Sequence, residues 1–210
     1  MRLAMRLLGC FLVSASISAA AQAQQVIEWN YNGQAIASGS GCTAADTHFI
    51  SAGNEMSVIF SQLGVSLTGV ADGARVAKKT CRIIIPTRVR TGYYIGVLQQ
   101  SLTYGYERTS GTEGTVSAVS EFYNQAAGTL QRAIPTPGLN TWSVPSAQAA
   151  ASSTWRVLPN WCLRSDYVGN FKSNLTVNGY RTATNQDIVI QIDGQDIRFD
   201  AAGQAALCPR

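Results

Sequence analysis

Apolar and polar residues alternate with a period of two along most of this chain, which predicts β-strands rather than helices. In "MSVIFSQLGVSLTG", Val58 and Phe60 share one parity, and Val65 with Leu67 take the other after Gly64, an interruption that reads as a bulge. In "RIIIPTRVR", Ile83, Ile85, Thr87 and Val89 form one row, and Arg82, Ile84, Pro86, Arg88 and Arg90 the other. One face of this strand is therefore core and the other solvent. Pro86 cannot donate to a ladder and predicts an edge position or a bulge. "YYIGVLQQSLTYGYER" sets Leu98, Leu102, Tyr104 and Tyr106 against Gln99, Ser101, Thr103 and Gly105. "EGTVSAVSEFY" follows across "TSGT" and reads as its hairpin partner.

The ends of the chain follow the same pattern. "QVIEWNYNG" is a strand closed by a turn at Asn32-Gly33. In "DIVIQIDGQDIRFD", Ile188, Ile190 and Ile192 alternate, Asp193-Gly194 reads as a two-residue turn, and Ile197 with Phe199 resumes the alternation. The nearest approach to a helical stretch is "SAQAAASS" at 146–153, just before the strand that opens "TWRVLPNWCL". With Pro135, Pro137 and Pro145, the stretch from Asn124 to Ser153 reads as edge strands and long loops. No internal repeat is present. Many short strands with turn residues between them predict an all-β fold, an antiparallel β-sandwich.

The N-terminus changes the charge and cysteine arithmetic. Arg2 and Arg6 precede "LLGCFLVSASISAAAQA", with Ala21 and Ala23 at the spacing of a signal-peptidase site, so residues 1–23 read as a signal peptide. Residues 24–210 then form a single secreted domain, extracellular or periplasmic. The apolar run is too short for a transmembrane segment. Two of the 16 Lys+Arg leave with the signal, so 14 face 12 Asp+Glu, a net charge of +2. That balance argues against nucleic acid as a partner. Cys42, Cys81, Cys162 and Cys208 remain, an even number that predicts two disulfides in an exported protein. Three connectivities are open, and proximity favours Cys42–Cys81 with Cys162–Cys208. Neither a Cys-x-x-Cys nor a Cys/His pairing suggests a metal, and no cofactor is expected.

A family pattern runs through these same segments. "SGSGC", then "SVIFSQLGVSL", "KKTCRIIIP" and "YGYERTSGTEGTVSAVSEFY", in that order over residues 38–125, resemble the domain-of-unknown-function 4360 family of small secreted proteins. "WCLRSDYVGNFKSNLTVNG" is similar to the family's later cysteine segment. The sequence departs from the pattern at Thr43, where proline usually follows the first cysteine, and in Cys208. The resemblance implies a secreted β-rich domain and carries neither catalytic residues nor a ligand.

Candidate chemistry is thin. Arg75, Lys78, Lys79, Arg82, Arg88 and Arg90 gather around one strand, either as a patch for an acidic polysaccharide or envelope polymer, or as charges that keep an edge strand from pairing. Tyr93, Tyr94, Tyr104, Tyr106, Trp142, Trp155 and Trp161 could stack on sugars or fill the core. From these sets Arg82, Arg88, Arg90, Tyr104 and Tyr106 are the candidate binding residues.

His48 is the one histidine and has no nucleophile-elbow sequence beside it, although Asp46 stands two residues away. Glu107, Glu113 and Glu121 on the expected hairpin would have to flank a cleft to hydrolyse a glycoside. Asp187, Asp193, Asp196 and Asp200 cluster without the loop pattern of a calcium site. Asn174-Leu175-Thr176 is a glycosylation sequon. The reading is a secreted, non-enzymatic binding or structural protein of the envelope or extracellular space. A polysaccharide or envelope polymer is its expected partner. The alternatives are a secreted polysaccharide hydrolase and self-assembly through sheet edges.

Overall fold

Twelve strands and no helix make up the described residues of the computed structural model, which are 25–69, 73–91, 97–122, 125–135, 143–156 and 166–200. The strands are β1 (Ile27–Trp29), β2 (Ile36–Ser38), β3 (Thr47–Ala52), β4 (Glu55–Phe60), β5 (Gly64–Leu67) and β6 (Val76–Val89). They continue with β7 (Val97–Thr109), β8 (Thr112–Phe122), β9 (Gln125–Ala133), β10 (Ser143–Arg156), β11 (Tyr167–Arg181) and β12 (Ile188–Asp200). All pairings are antiparallel, in two six-stranded sheets. Sheet A runs β1-β6-β11-β8-β9, with β2 also on β6. Sheet B runs β10-β7-β12-β4-β3, with β5 also on β12. The expected sandwich is therefore formed, and β9 and β10, which cover the stretch read as edge strands, are edge strands. "SAQAAASS" lies within β10 as strand.

The inward rows agree with the alternation. Cys81, Ile83, Ile85, Thr87 and Val89 on β6 face Leu102, Tyr104, Tyr106 and the isoleucines of β12 across one core. Met56, Val58 and Phe60 change parity to Val65 and Leu67 because β4 and β5 are separate strands laid along β12. Gly64 opens β5 rather than a bulge; a β-carbon there would stand 2.8 Å from the Ile190 carbonyl oxygen.

Three local expectations are corrected. The segment "TSGT" joins no hairpin: β7 belongs to sheet B and β8 to sheet A, so the chain crosses between the sheets through Gly111 at φ 77°. The apolar rows of β7 and β8 then face each other instead of lying side by side. Arg108, 3% exposed, braces this crossing by donating to the carbonyls of Ile134 (2.8 Å) and Thr112. Thr112 Oγ1 donates to Thr109 O at 2.7 Å. Asp193-Gly194 is likewise no turn. β12 continues through it with a register shift between Ile192 and Gly194, so one extra residue moves the buried row from Ile192 to Gln195 and Ile197.

Pro86 lies on an interior strand without a bulge, since β6 pairs with β11 through Asn170↔Pro86 in continuous register. Its carbonyl accepts from Tyr31 N at 3.2 Å, so the ring nitrogen faces the same flank, where the chain swings away between β1 and β2. The missing donor falls at that gap. The turn that makes it contains Asn30 and Asn32 at φ 59° and 55° and closes with Gly33 N donating to Asn30 O.

Of the two expected disulfides, Cys42–Cys81 is formed; Cys162 and Cys208 lie outside the described residues. The bond pins the "SGSGC" segment onto β6, where Gly41 N donates to Thr80 O and Thr80 N donates to Ser40 Oγ, each at 3.0 Å. A β-carbon at Gly39 would collide with Thr80 O, and one at Gly41 would meet Leu63 Cδ1 at 2.5 Å. The glycines of this motif thus permit a close backbone crossing. No described helix is long and apolar enough to cross a membrane.

Polar side chains also enter the core. Gln100 and Gln195 from sheet B meet Ser120 and Ser173 from sheet A, all at most 1% exposed. Arg181, fully buried at the end of β11, donates to the carbonyls of Gly69, Ala74, Thr184 and Gln186 and so gathers two loops around one guanidinium.

Candidate functional site

The row of β6 opposite its buried residues faces outward on sheet A, and its neighbours in register are chiefly amides and hydroxyls. Lys78 stands beside Asn178 on β11 and then Thr115 on β8. Thr80 aligns with Thr176, Ser117 and Gln131 on β9. Arg82 aligns with Asn174, Val119 and Thr129, and with Ser38 on its other side. Neighbouring strands lie about 4.8 Å apart and alternate residues about 7 Å. These three rows therefore tile an area of roughly 14 by 14 Å. Ser40 Oγ lies 3.5 Å from Thr80 Oγ1 at the flank of these rows, and Asn178 Nδ2 donates to Thr115 Oγ1 at 3.1 Å. One rung further, Tyr180 is 39% exposed beside Val76 and Glu113.

The candidate arginines fall on this outward row but differ in state. Arg88 and Arg90 both reach Glu28 on β1, with Arg88 Nη2 at 2.6 Å from Oε2 and Arg90 Nε donating to Oε1 at 2.8 Å. Those hydrogen bonds hold the Glu28 carboxyl below its ordinary range, and Glu28 in turn raises the Arg88 guanidinium. Arg88 also approaches Asp166 at 3.5 Å and stacks over Tyr31, 4.4 Å from the ring centroid. Lys172 approaches Glu121 at 3.8 Å. Lys79 donates to Ser40 O at 2.9 Å. Lys78 and Arg82 are exposed, and no described carboxylate lies within ion-pair distance of either.

Tyr104 and Tyr106 are not on this surface. They point into the core from sheet B, 4% and 8% exposed, with ring centroids 6.2 Å apart. Burial, followed by the neighbouring Tyr106, raises the Tyr104 hydroxyl above its ordinary pKa. The side chains of Tyr93, Tyr94, Trp142, Trp155 and Trp161 lie outside the described residues.

The remaining candidates do not converge. Glu107 faces outward from sheet B, whereas Glu113 and Glu121 face outward from sheet A, so the sandwich separates them. His48 is exposed on edge strand β3, and Asp46 accepts from Thr43 Oγ1 at 2.6 Å. Asp187 accepts from Gly69 N at 2.9 Å and Asp196 from Ser57 Oγ at 2.7 Å. Burial in the bulge raises Asp193. Asp200's side chain lies outside the described residues, among which no three His, Cys, Asp or Glu gather as metal ligands. In the sequon, Asn174 is exposed and Leu175 is buried.

Tyr180 and the amide row of β11 were missed in the sequence because polar residues of outward parity are ordinary on any strand. The pairing of β11 between β6 and β8 turns them into part of a surface.

No curated protein matches the chain. Among solved structures, TmCBM61 in complex with β-1,4-galactotriose is 10% identical, over 80% of this chain and 92% of that one, at a TM-score of 0.28. The family 11 carbohydrate-binding module from Clostridium thermocellum, in complex with a mixed-linked β-1,3-1,4 tetrasaccharide, is 12% identical, over 82% and 87%, at 0.23. The model of the family described as a domain of unknown function (DUF4360) matches residues 33–202, and the chain belongs to that family.

Proposed function

We propose that this is an exported, non-enzymatic protein that binds a hydroxyl-rich polymer of the envelope or extracellular space through the outer face of sheet A. The observation that carries the reading is the set of aligned rows around Lys78, Thr80 and Arg82, with Asn174, Thr176 and Asn178 beside them. Amides and hydroxyls both donate and accept, as sugar hydroxyls do. One such bond contributes only about 0.5–1.5 kcal/mol net in competition with water. Binding therefore needs many of them in register, which suits an extended chain lying on a sheet better than a small ligand in a pocket. Tyr180 supplies an exposed aromatic ring at the end of the track. The Cys42–Cys81 bond is in keeping with an oxidising compartment. The separation of Glu107 from Glu113 and Glu121 favours binding over the alternative of hydrolysis.

The test is co-sedimentation of the oxidised protein with insoluble polysaccharides and isolated envelopes, scoring retained protein and released sugar together. Saturable retention without release, weakened by Tyr180→Ala and Asn178→Ala, is the expected result. Absence of retention on every polymer sinks the reading. Enzymatic sugar release replaces it with hydrolysis.

A further inference from the structure

Resting on that reading of the face, we infer that the polymer carries repeated anionic groups, carboxylates or phosphates, and that Lys78 and Arg82 read them. The distribution of charge is the reason. Arg88, Arg90 and Lys172 on the same face each have a carboxylate close by. Lys78 and Arg82 are exposed, and their register neighbours are Asn178 and Asn174 on one flank, with Ser38 on the other flank of Arg82. Amides and hydroxyls solvate a cation without neutralising it, so both charges stay available on this part of the face, and Glu113 stands one rung further along β8.

Four residues of strand place the two Cα atoms about 13 Å apart, with Thr80 between them. That spacing meets two anionic groups on one extended chain, whereas a single small anion needs cations gathered around one point. The amides of Asn174 and Asn178 lie directly beside the two charges, where they can take the hydroxyls of the same chain. The partner is thus a polymer that alternates charge with hydroxyls, and neutral glucans lack half of what this surface offers.

The test uses the full oxidised chain in affinity electrophoresis against polygalacturonate, a poly(glycerol phosphate) and a neutral β-glucan, at 50 and 200 mM salt. Retention by one or both anionic polymers, falling with salt, is expected. Retention by the uronate alone identifies carboxylate, and by the phosphodiester alone phosphate. Each of Lys78→Glu and Arg82→Glu should weaken that retention roughly fivefold or more, the worth of one partly hydrated ion pair. Arg198→Glu, an equal change of net charge on the outer face of sheet B, should leave it intact. Equal, salt-independent retention by the neutral glucan, insensitive to both reversals, overturns the inference while the polymer-binding face stands. Equal loss in Arg198→Glu also overturns it, because net charge then explains the binding. Absence of retention on all three polymers removes the face itself, and the inference with it.

Discussion

Removing one hydroxyl from the core should be more damaging than removing the whole amide that it serves. Gln195 Nε2 donates to Ser173 Oγ at 2.9 Å, Ser120 Oγ donates to Gln100 Oε1 at 2.7 Å, and the two serine oxygens lie 3.3 Å apart. The four side chains thus link sheet B to sheet A through the middle of the sandwich. Gln100 Nε2 and Gln195 Oε1 have no hydrogen-bond partner among the described residues. Exchanging the nitrogen and oxygen of either amide leaves one of its two groups unmatched all the same. Each unmatched buried group costs about 1–3 kcal/mol.

Ser173→Ala takes the acceptor from Gln195 and leaves its whole amide unpaired, so a loss of about 1–3 kcal/mol is expected. Gln195→Met keeps the volume and forfeits one bond of about 1 kcal/mol, but it also removes the unmatched Oε1, so its net effect lies near zero or is stabilising. The double variant should then be more stable than the sum of the two single changes allows, because Ser173→Ala strands no amide once methionine stands at 195, and that excess is the coupling. Urea unfolding of the oxidised proteins, with the slope unchanged, measures all three. A Gln195→Met variant as damaged as Ser173→Ala, with the double variant showing the sum, would falsify this account of the core.

Other perturbations address the strap and the sheet margin. The 39-residue separation closed by Cys42–Cys81 is worth about 4 kcal/mol in the chain-entropy estimate, so the Cys42→Ser/Cys81→Ser pair should lower the urea midpoint accordingly. Gly39→Ala meets Thr80 O at a backbone φ of 153° and should cost at least about 1–3 kcal/mol, while Gly53→Ala, whose added β-carbon meets nothing, should cost less. Glu28 has a folded pKa below its unfolded one, so its contribution is present above the ordinary carboxylate range and is lost as pH falls through the folded value. Glu28→Gln should therefore flatten the acid limb of a stability–pH curve; an unchanged limb would show that the Arg88 and Arg90 pairing contributes nothing.

The sequence was informative about faces and nearly silent about partners. Ile83, Ile85, Thr87 and Val89 lie inside, and Arg82, Arg88 and Arg90 outside, because a period of two determines which way a strand's residues point. The same alternation is blind to which strand lies alongside, so β7-TSGT-β8 reads equally as a hairpin and as a crossing between sheets. The parity change after Asp193 has two local solutions, a turn or a bulge, and the continuous pairing of β12 with β7 selects the bulge.

Arg108 and Arg181 carried a usable signal, since both sit on the buried parity of their strands, where a cation needs carbonyls around it. The site was half legible. A basic row could be read from residues 82–90, but its neutralisation by Glu28 depends on β1 lying antiparallel to β6, which spacing along the chain does not encode. Tyr104 and Tyr106 already stood on the core row with Leu102, and that parity outweighs their chemistry.

The regularity of the outer face follows from how the margins are built. Each sheet has an interior strand flanked on one side by two short pieces in place of one long strand, β1 and β2 on β6, and β4 and β5 on β12. On sheet A the interruption falls at Pro86, where a ladder bond is impossible, so the break has little to lose there. On sheet B it falls near the bulge of β12, where Ile192 N finds Leu63 O at 2.8 Å between the two pieces. Irregularity on sheet A is thus displaced to its flanks, and β6, β11 and β8 pair without a register shift. Three shift-free strands are what place Lys78, Thr80 and Arg82 on straight lateral rows with the amides of β11. One residue inserted in β11 between Thr176 and Asn178, with the pairing to β6 and β8 kept free of a bulge, would turn Tyr180 inward and abolish polymer retention, whereas a bulge that absorbs the insertion would keep Tyr180 outward.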